Sequence, residues 1–251
     1  MTAYDHPATI GLKAAGLETW LARLPGDAGQ LAQRARLIAE RRDDVMAFLP
    51  TAESALRELT GHLAARDGLA FPDAPLAALS ALGRTYAEDI CILTPEGEQF
   101  ILSAAVLCFP NRWKLADKVG KRVIAVHGPV PDYAEKLSNQ VDFFLSRLRP
   151  LRCFRRANWG LASNGELHLP TPLPPVDPTT DQDFFVRREE QAFVKLPESE
   201  AVIFTIRASV TPWAQVPEAD RAEILVQTAR LSPAWRNYKS IRSAIAGSAG
   251  G

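Results

Sequence analysis

The chain has 251 residues, 47% of them hydrophobic and 23% charged, which is enough for one sizeable core and far from a disordered composition. Lys+Arg 29 against Asp+Glu 29 leaves no formal net charge, so broad affinity for nucleic-acid phosphates is disfavoured. The longest apolar run, residues 101–109, is too short to span a bilayer, and the opening Met-Thr-Ala-Tyr-Asp lacks a basic or apolar leader. The expectation is a cytoplasmic protein that engages neither membrane nor nucleic acid.

In chain order, the first third reads as helix. Residues 29–48 are rich in Ala, Leu, Arg and Glu, and Thr51 is placed to cap a helix through Arg66 with Leu56, Leu59 and Leu63 on one face and Gly68 as its stop. From Glu88 the period shortens. Residues 89–94 and 99–109 read as two strands joined by the turn Pro95-Glu96-Gly97-Glu98, and residues 121–127 as a third. Asp132 and Glu135 resemble a capping box, after which Leu137, Val141, Phe144, Leu145 and Leu148 line a helical face. Residues 151–163 form another predicted strand, turning at Asn164-Gly165 into 166–169. The proline-rich stretch 171–183 is a loop, residues 184–195 and 201–210 are strands, and 218–231 is a closing helix. Successive hairpins predict an α+β plan around an antiparallel sheet.

Cys91, Cys108 and Cys153 are odd in number and contain no Cys-x-x-Cys pair, which suits buried apolar thiols in a reducing compartment. The four histidines, His6, His62, His127 and His168, show no close ligand spacing, which disfavours a multidentate zinc site but leaves a cofactor with one protein ligand, such as haem. Neither a dinucleotide-binding glycine fingerprint nor a phosphate loop is present.

Two places break the pattern that packing alone requires. The first is Val123-Ile124-Ala125-Val126-His127-Gly128-Pro129-Val130-Pro131, a β-branched run ending in a histidine before a stiff bend. His127 there either binds a metal from a fixed direction or hydrogen-bonds a loop carbonyl; His168 is the rival ligand. The second is the last strand pair. Arg187, Glu189 and Gln191 share one face by the two-residue period, as do Thr205, Arg207 and Ser209 on the partner strand. A turn centred near Glu198 sets Glu189 opposite Arg207 and Gln191 opposite Thr205, and the polar stripe is either a solvated sheet face or a pocket lining.

These residues together resemble the haem-dependent oxidative N-demethylases. The resemblance is carried by Trp113, Lys118, Gly120, the 124–131 run, Asn158-Trp159, Arg187-Arg188-Glu189-Glu190-Gln191, Leu196-Pro197 and Phe204-Thr205-Ile206-Arg207, and it spans residues 71–239. It implies a PAS-like haem-binding domain at 71–240, which the helical composition of the first third and the Gly/Ala/Ser-rich end flank with a helical lobe at 1–70 and a flexible tail at 241–251. It further implies haem b held by His127, with Asn158, Trp159 and Arg187 near the cofactor and Glu189 and Arg207 as catalytic groups. Arg207 would hold Glu189 or pair a haem propionate, for which Lys118, Lys121, Arg122, Arg155 and Arg156 are the other cations. The implied reaction is O2-dependent demethylation of a small methylated amine with release of formaldehyde. Electrons would come from a separate NAD(P)H-dependent flavin and iron–sulfur reductase. The alternative from the same resemblance is a haem-binding PAS-like sensor without demethylase activity.

Overall fold

The computed structural model describes residues 11–126 and 138–242. Its centre is one seven-stranded antiparallel sheet in the order β1-β5-β6-β7-β3-β4-β2, formed by β1 (Lys13–Ala15), β2 (Met46–Phe48), β3 (Asp89–Glu96), β4 (Gln99–Val106), β5 (Cys153–Ala162), β6 (Phe185–Lys195) and β7 (Val202–Pro212). The α+β class read from the sequence is the class observed. Residues before 70 do more than form helices: they supply both edge strands and part of the sheet's core.

One face of the sheet carries α1 (Ala28–Glu40), α3 (Glu53–Asp67) and α4 (Pro75–Thr85), whose Leu56, Leu59, Leu63, Leu79 and Leu82 bury against Ile90, Ile92, Val194 and Ile203. Alternation along the strands makes this possible, since Ile90 and Ile92 of β3, Ala192 and Val194 of β6 and Ile203 of β7 recur at two-residue spacing on this side. α3 ends at Gly68, whose φ of +65° is the left-handed turn that a side chain resists. At Gly83 the approach of α4 to the sheet is so close that a Cβ would lie 2.5 Å from Val106 Cγ2. The helix expected over 29–48 breaks after Glu40 into a single turn, α2 (Arg42–Val45), and then β2.

The other face carries α6 (Ser138–Arg147), which buries Leu145, with Leu148 just beyond it, beside Cys91, Leu93 and Ile206. A third cluster joins α7 (Glu218–Arg230) and α8 (Pro233–Tyr238) to the far ends of β5 and β6 through Trp159, Leu161, Val186, Ile224 and Trp235.

Two expectations are corrected. The strand expected over 121–127 is not formed by its described residues, 121–126: Val123–Val126 form one helical turn, α5, with Val126 N donating to Arg122 O and Lys118 Nζ donating to Val126 O at 2.5 Å. β2 covers β4 only over Ala104–Val106; beside the rest of that edge the chain makes one isolated bridge, Arg122 to Ile101, and then turns away into α5. Residues 164–169 are not the second arm of a hairpin. Asn164 Oδ1 closes a tight turn on Glu166 N, and the chain then leaves the sheet to lay Leu169 beside Asn111. His127, the 128–131 bend, Asp132 and Glu135 lie outside the described residues.

Candidate functional site

β5, β6 and β7 are long enough to pair over most of their length, and the register places Asn158 opposite Glu189 and Glu189 opposite Ala208. The expected pairings are therefore off by one residue: Arg207 faces Glu190 and Thr205 faces Ala192. Because side chains alternate, that slip sends Arg207 to the helical face while Arg187, Glu189 and Gln191 point to the face that carries α6. The geometry thus corrects the idea of one Glu189–Arg207 unit. Arg207 instead bonds Asp27 at 2.6 Å, Glu88 at 2.9 Å and the Ala22 carbonyl at 2.9 Å, pinning the N-terminal segment to the sheet.

The stripe on the α6 side is buried: Arg187 is 2% exposed and Glu189 6%. It is covered by the segment after β4, which Asp89 starts on its course by accepting the Cys108 and Phe109 amides at 2.6 and 3.0 Å. Arg187 continues the job, donating to the carbonyls of Phe109 at 2.6 Å and Leu167 at 2.9 Å. The clamped segment delivers Asn111 and Arg112 over the sheet.

Glu189 is the hub of what results. Its Oε1 accepts from Asn111 Nδ2 at 3.0 Å and Arg187 Nε at 3.3 Å; its Oε2 accepts from Gln191 Nε2 at 3.2 Å and Asn158 Nδ2 at 3.3 Å. Burial alone would raise its pKa, but Arg187 and the amides of Asn111 and Asn158 outweigh it and hold the carboxyl below the ordinary glutamate range. Lys239, at the end of α8, comes round the edge of β5 to donate to Trp159 O and to Asn158 Oδ1 at 3.3 Å, with its ammonium 4.9 Å from the Trp159 ring centre. Burial, reinforced by Arg112, brings its pKa down to about 7, with Glu189 opposing. Arg112 donates to Asn111 Oδ1 at 3.1 Å and Ser240 Oγ at 2.8 Å.

Of the residues singled out from sequence, Asn158, Arg187 and Glu189 are brought together, Gln191 with them. Trp159 is next to the hub, but its indole packs in the cluster of Trp213 and Trp235 on the other side of β5. His168 Nδ1 lies 2.8 Å from the Cys108 carbonyl, so it carries the proton, and its buried Nε2 makes no hydrogen bond. Asn111, Arg112 and Lys239 were missed. They come from a loop and a helix end with no motif of their own, and only tertiary folding identifies them.

Along the same face β5 leads from Asn158 back to Phe154, about 13 Å at strand rise. There a groove of about 550 Å³ opens between α6 and the β1–β5 edge, lined by Phe143, Phe144 and Phe154 and by Arg147, Arg149 and Arg152. Phe144 sets its edge on Phe154 and Phe193 at centroid distances of 5.6 and 5.7 Å, and Phe193 stacks on Phe204 at 4.7 Å. Aromatic walls beside three guanidinium groups suit a flat apolar ring system carrying carboxylates.

Fold and site therefore describe an α+β protein with a buried polar hub beside an aromatic, arginine-bearing groove. The model of the haem-dependent oxidative N-demethylase, alpha subunit-like family matches residues 67–245, from the end of α3 past α8. The chain belongs to that family. Among curated proteins, no sequence matches it. Among the described residues, no helix is long and apolar enough to cross a membrane.

Proposed function

We propose that this chain is the haem-binding, substrate-oxidising subunit of an oxidative N-demethylase built on a PAS-like sheet. What supports the reading is that the family match covers the hub and, apart from Ala14, the residues lining the groove, whose aromatic and arginine walls would suit a tetrapyrrole. Phe143, Phe144 and Phe154 would hold the ring, and Arg147, Arg149 and Arg152 its propionates. His127, in the stretch between α5 and α6, is the proposed iron ligand. When bound, haem supplies the O2 and electron chemistry by which an N-methyl amine, O2, two electrons and two protons become the demethylated amine, formaldehyde and water.

The chain's own residues hold and orient. Glu189 fixes Asn111, Asn158 and Gln191 as a rigid wall, and Arg187 ties the 107–112 and 166–169 segments over it, keeping water from the reacting methyl group. Arg207 takes no part at that wall and acts as a strut. The electrons come from a separate reductase with flavin and iron–sulfur centres, in keeping with an alpha subunit, and the cytoplasm is the proposed location.

The test is the absorption spectrum of the chain expressed with haem supply. The expected result is a Soret band that shifts or disappears in His127→Ala. A colourless wild type, or a band indifferent to the substitution, removes the ligand assignment. Formaldehyde release from methylated amines with a surrogate reductant tests the reaction, and haem binding without release is the outcome that favours a sensor.

A further inference from the structure

Among the described residues, the cluster around Glu189 carries more positive than negative charge, and its one carboxylate has nothing left to offer. The four donors on Glu189 fill the four lone-pair positions of a carboxylate, so an ammonium group would find no acceptor there. Against this one anion stand Arg187, Arg112 and Lys239, with Arg156 near enough to act on Lys239. Arg187 is matched to Glu189 itself. Among the described residues, Arg112 and Lys239 hydrogen-bond only neutral oxygens: Asn111 Oδ1 and Ser240 Oγ for the one, Asn158 Oδ1 and Trp159 O for the other.

Burying cations against neutral dipoles is costly, and Lys239 is only 2% exposed. Arg112 bears a second cost, a backbone φ of +62° that non-glycine residues adopt reluctantly. Both costs sit in one place. Arg112, Asn158 and Gln191 are themselves only half-buried, which leaves the cluster a way in from solvent.

We propose that Arg112 and Lys239 are the receiving end of a carboxylate-binding site beside the Glu189 hub. Resting on the demethylase reading, the substrate class is an N-methylated amine that carries a carboxylate, rather than a bare dialkylammonium ion, which the local field repels. A cofactor propionate has the same chemistry and is the other possible source. A carboxylate placed here reverses what depresses Lys239. The groups facing its ammonium are Arg112 and Arg156, which repel its proton, and Glu189, which attracts it. Tyr238, next in the chain, is held neutral by burial and by Glu189. Added negative charge restores the lysine proton, so binding above neutrality takes up a proton.

The experiment is calorimetric titration of the full chain at pH 8, in two buffers of different ionisation enthalpy, with acetate, N-methylglycine and dimethylammonium. The expected result is N-methylglycine binding at least about tenfold tighter than dimethylammonium, with acetate also binding and close to one proton taken up. In Lys239→Gln, whose cooperative unfolding checks the fold, both preference and uptake vanish. In Lys239→Arg the preference returns without uptake, because a guanidinium does not titrate. A parallel arm compares uptake of protohaem and its dimethyl ester. If the free ligands do not bind but the ester is held at least about tenfold more weakly, and only while Lys239 is present, the carboxylate is the cofactor's. Dimethylammonium binding as tightly as N-methylglycine overturns the proposal, as does indifference of every carboxylate to Lys239. A colourless protein with intact proton-linked carboxylate binding would instead count against the demethylase reading alone.

Discussion

Two buried ionic clusters lie back to back on the β6–β7 ribbon, and they are balanced in opposite senses. On the helical face Arg207 meets Asp27 and Glu88 within 3 Å, and beside them Arg34, fully buried, meets Asp89 at 2.6 Å. Two cations face three carboxylates, and burial, opposed by Arg207, raises the pKa of Glu88, so that the proton it tends to keep offsets the excess. On the α6 face one carboxylate, Glu189, faces Arg187, Arg112 and Lys239. A cluster whose charges close among themselves joins parts of the fold. A cluster left with surplus charge of one sign is arranged for something not in the chain. The same strands carry both, because alternation separates neighbouring residues by the thickness of the sheet.

The largest expected effect comes from the closed cluster. Arg207→Met leaves Asp27 and Glu88 buried without their cation and should cost about 3 kcal/mol of stability, read as a lower urea midpoint. Haem uptake by the folded fraction should be unchanged. If the variant keeps wild-type stability but loses haem, the assignment of the two faces is the wrong way round.

Glu189→Gln is expected to cost less, about 2 kcal/mol. The amide keeps the side chain's shape, but it offers one acceptor oxygen to four donors and removes the anion that faces Arg187, Arg112 and Lys239. The measurement that separates it from Arg207→Met is ligand affinity. It should alter binding of N-methylglycine as well as the urea midpoint, whereas a purely structural Glu189 would move the midpoint only.

How much of this was legible beforehand follows the physics of each signal. The hairpin at Pro95–Glu98, the Gly68 stop and the paired strands β6 and β7 were readable because turn chemistry and hydrophobic period are local. Arg187, Glu189 and Gln191 were readable as one face for the same reason. Their partner was not: register depends on where a turn centres, and a slip of one residue carried Arg207 through the sheet. The short edge strands β1 and β2 escaped because three residues carry no period. The run at residues 123–126 was misread because β-propensity records fit to a sheet, and the chain leaves the edge of β4 after Arg122. Arg112 and Lys239 could not have been found, since each is an ordinary surface residue type until the fold buries it beside Glu189.

The pH dependence of stability compares the two clusters most directly. Lys239 has a folded pKa near 7 against an unfolded value of about 10.4. Between those limits the unfolded chain binds the proton and the folded chain does not, so Lys239 makes stability rise with pH across that interval, at up to about 1.4 kcal/mol per unit. Its contribution is complete above the unfolded pKa and is lost as pH falls through the folded one. Lys239→Met should therefore flatten the curve of unfolding free energy between pH 7 and 10 and leave the variant at least as stable as wild type at pH 7. Saturating acetate should flatten the wild-type curve in the same interval by raising the folded pKa, and it should do nothing to the variant. A wild-type curve already flat there, with acetate silent, would mean that the lysine holds its proton in the empty site and that the surplus charge is borne without a ligand.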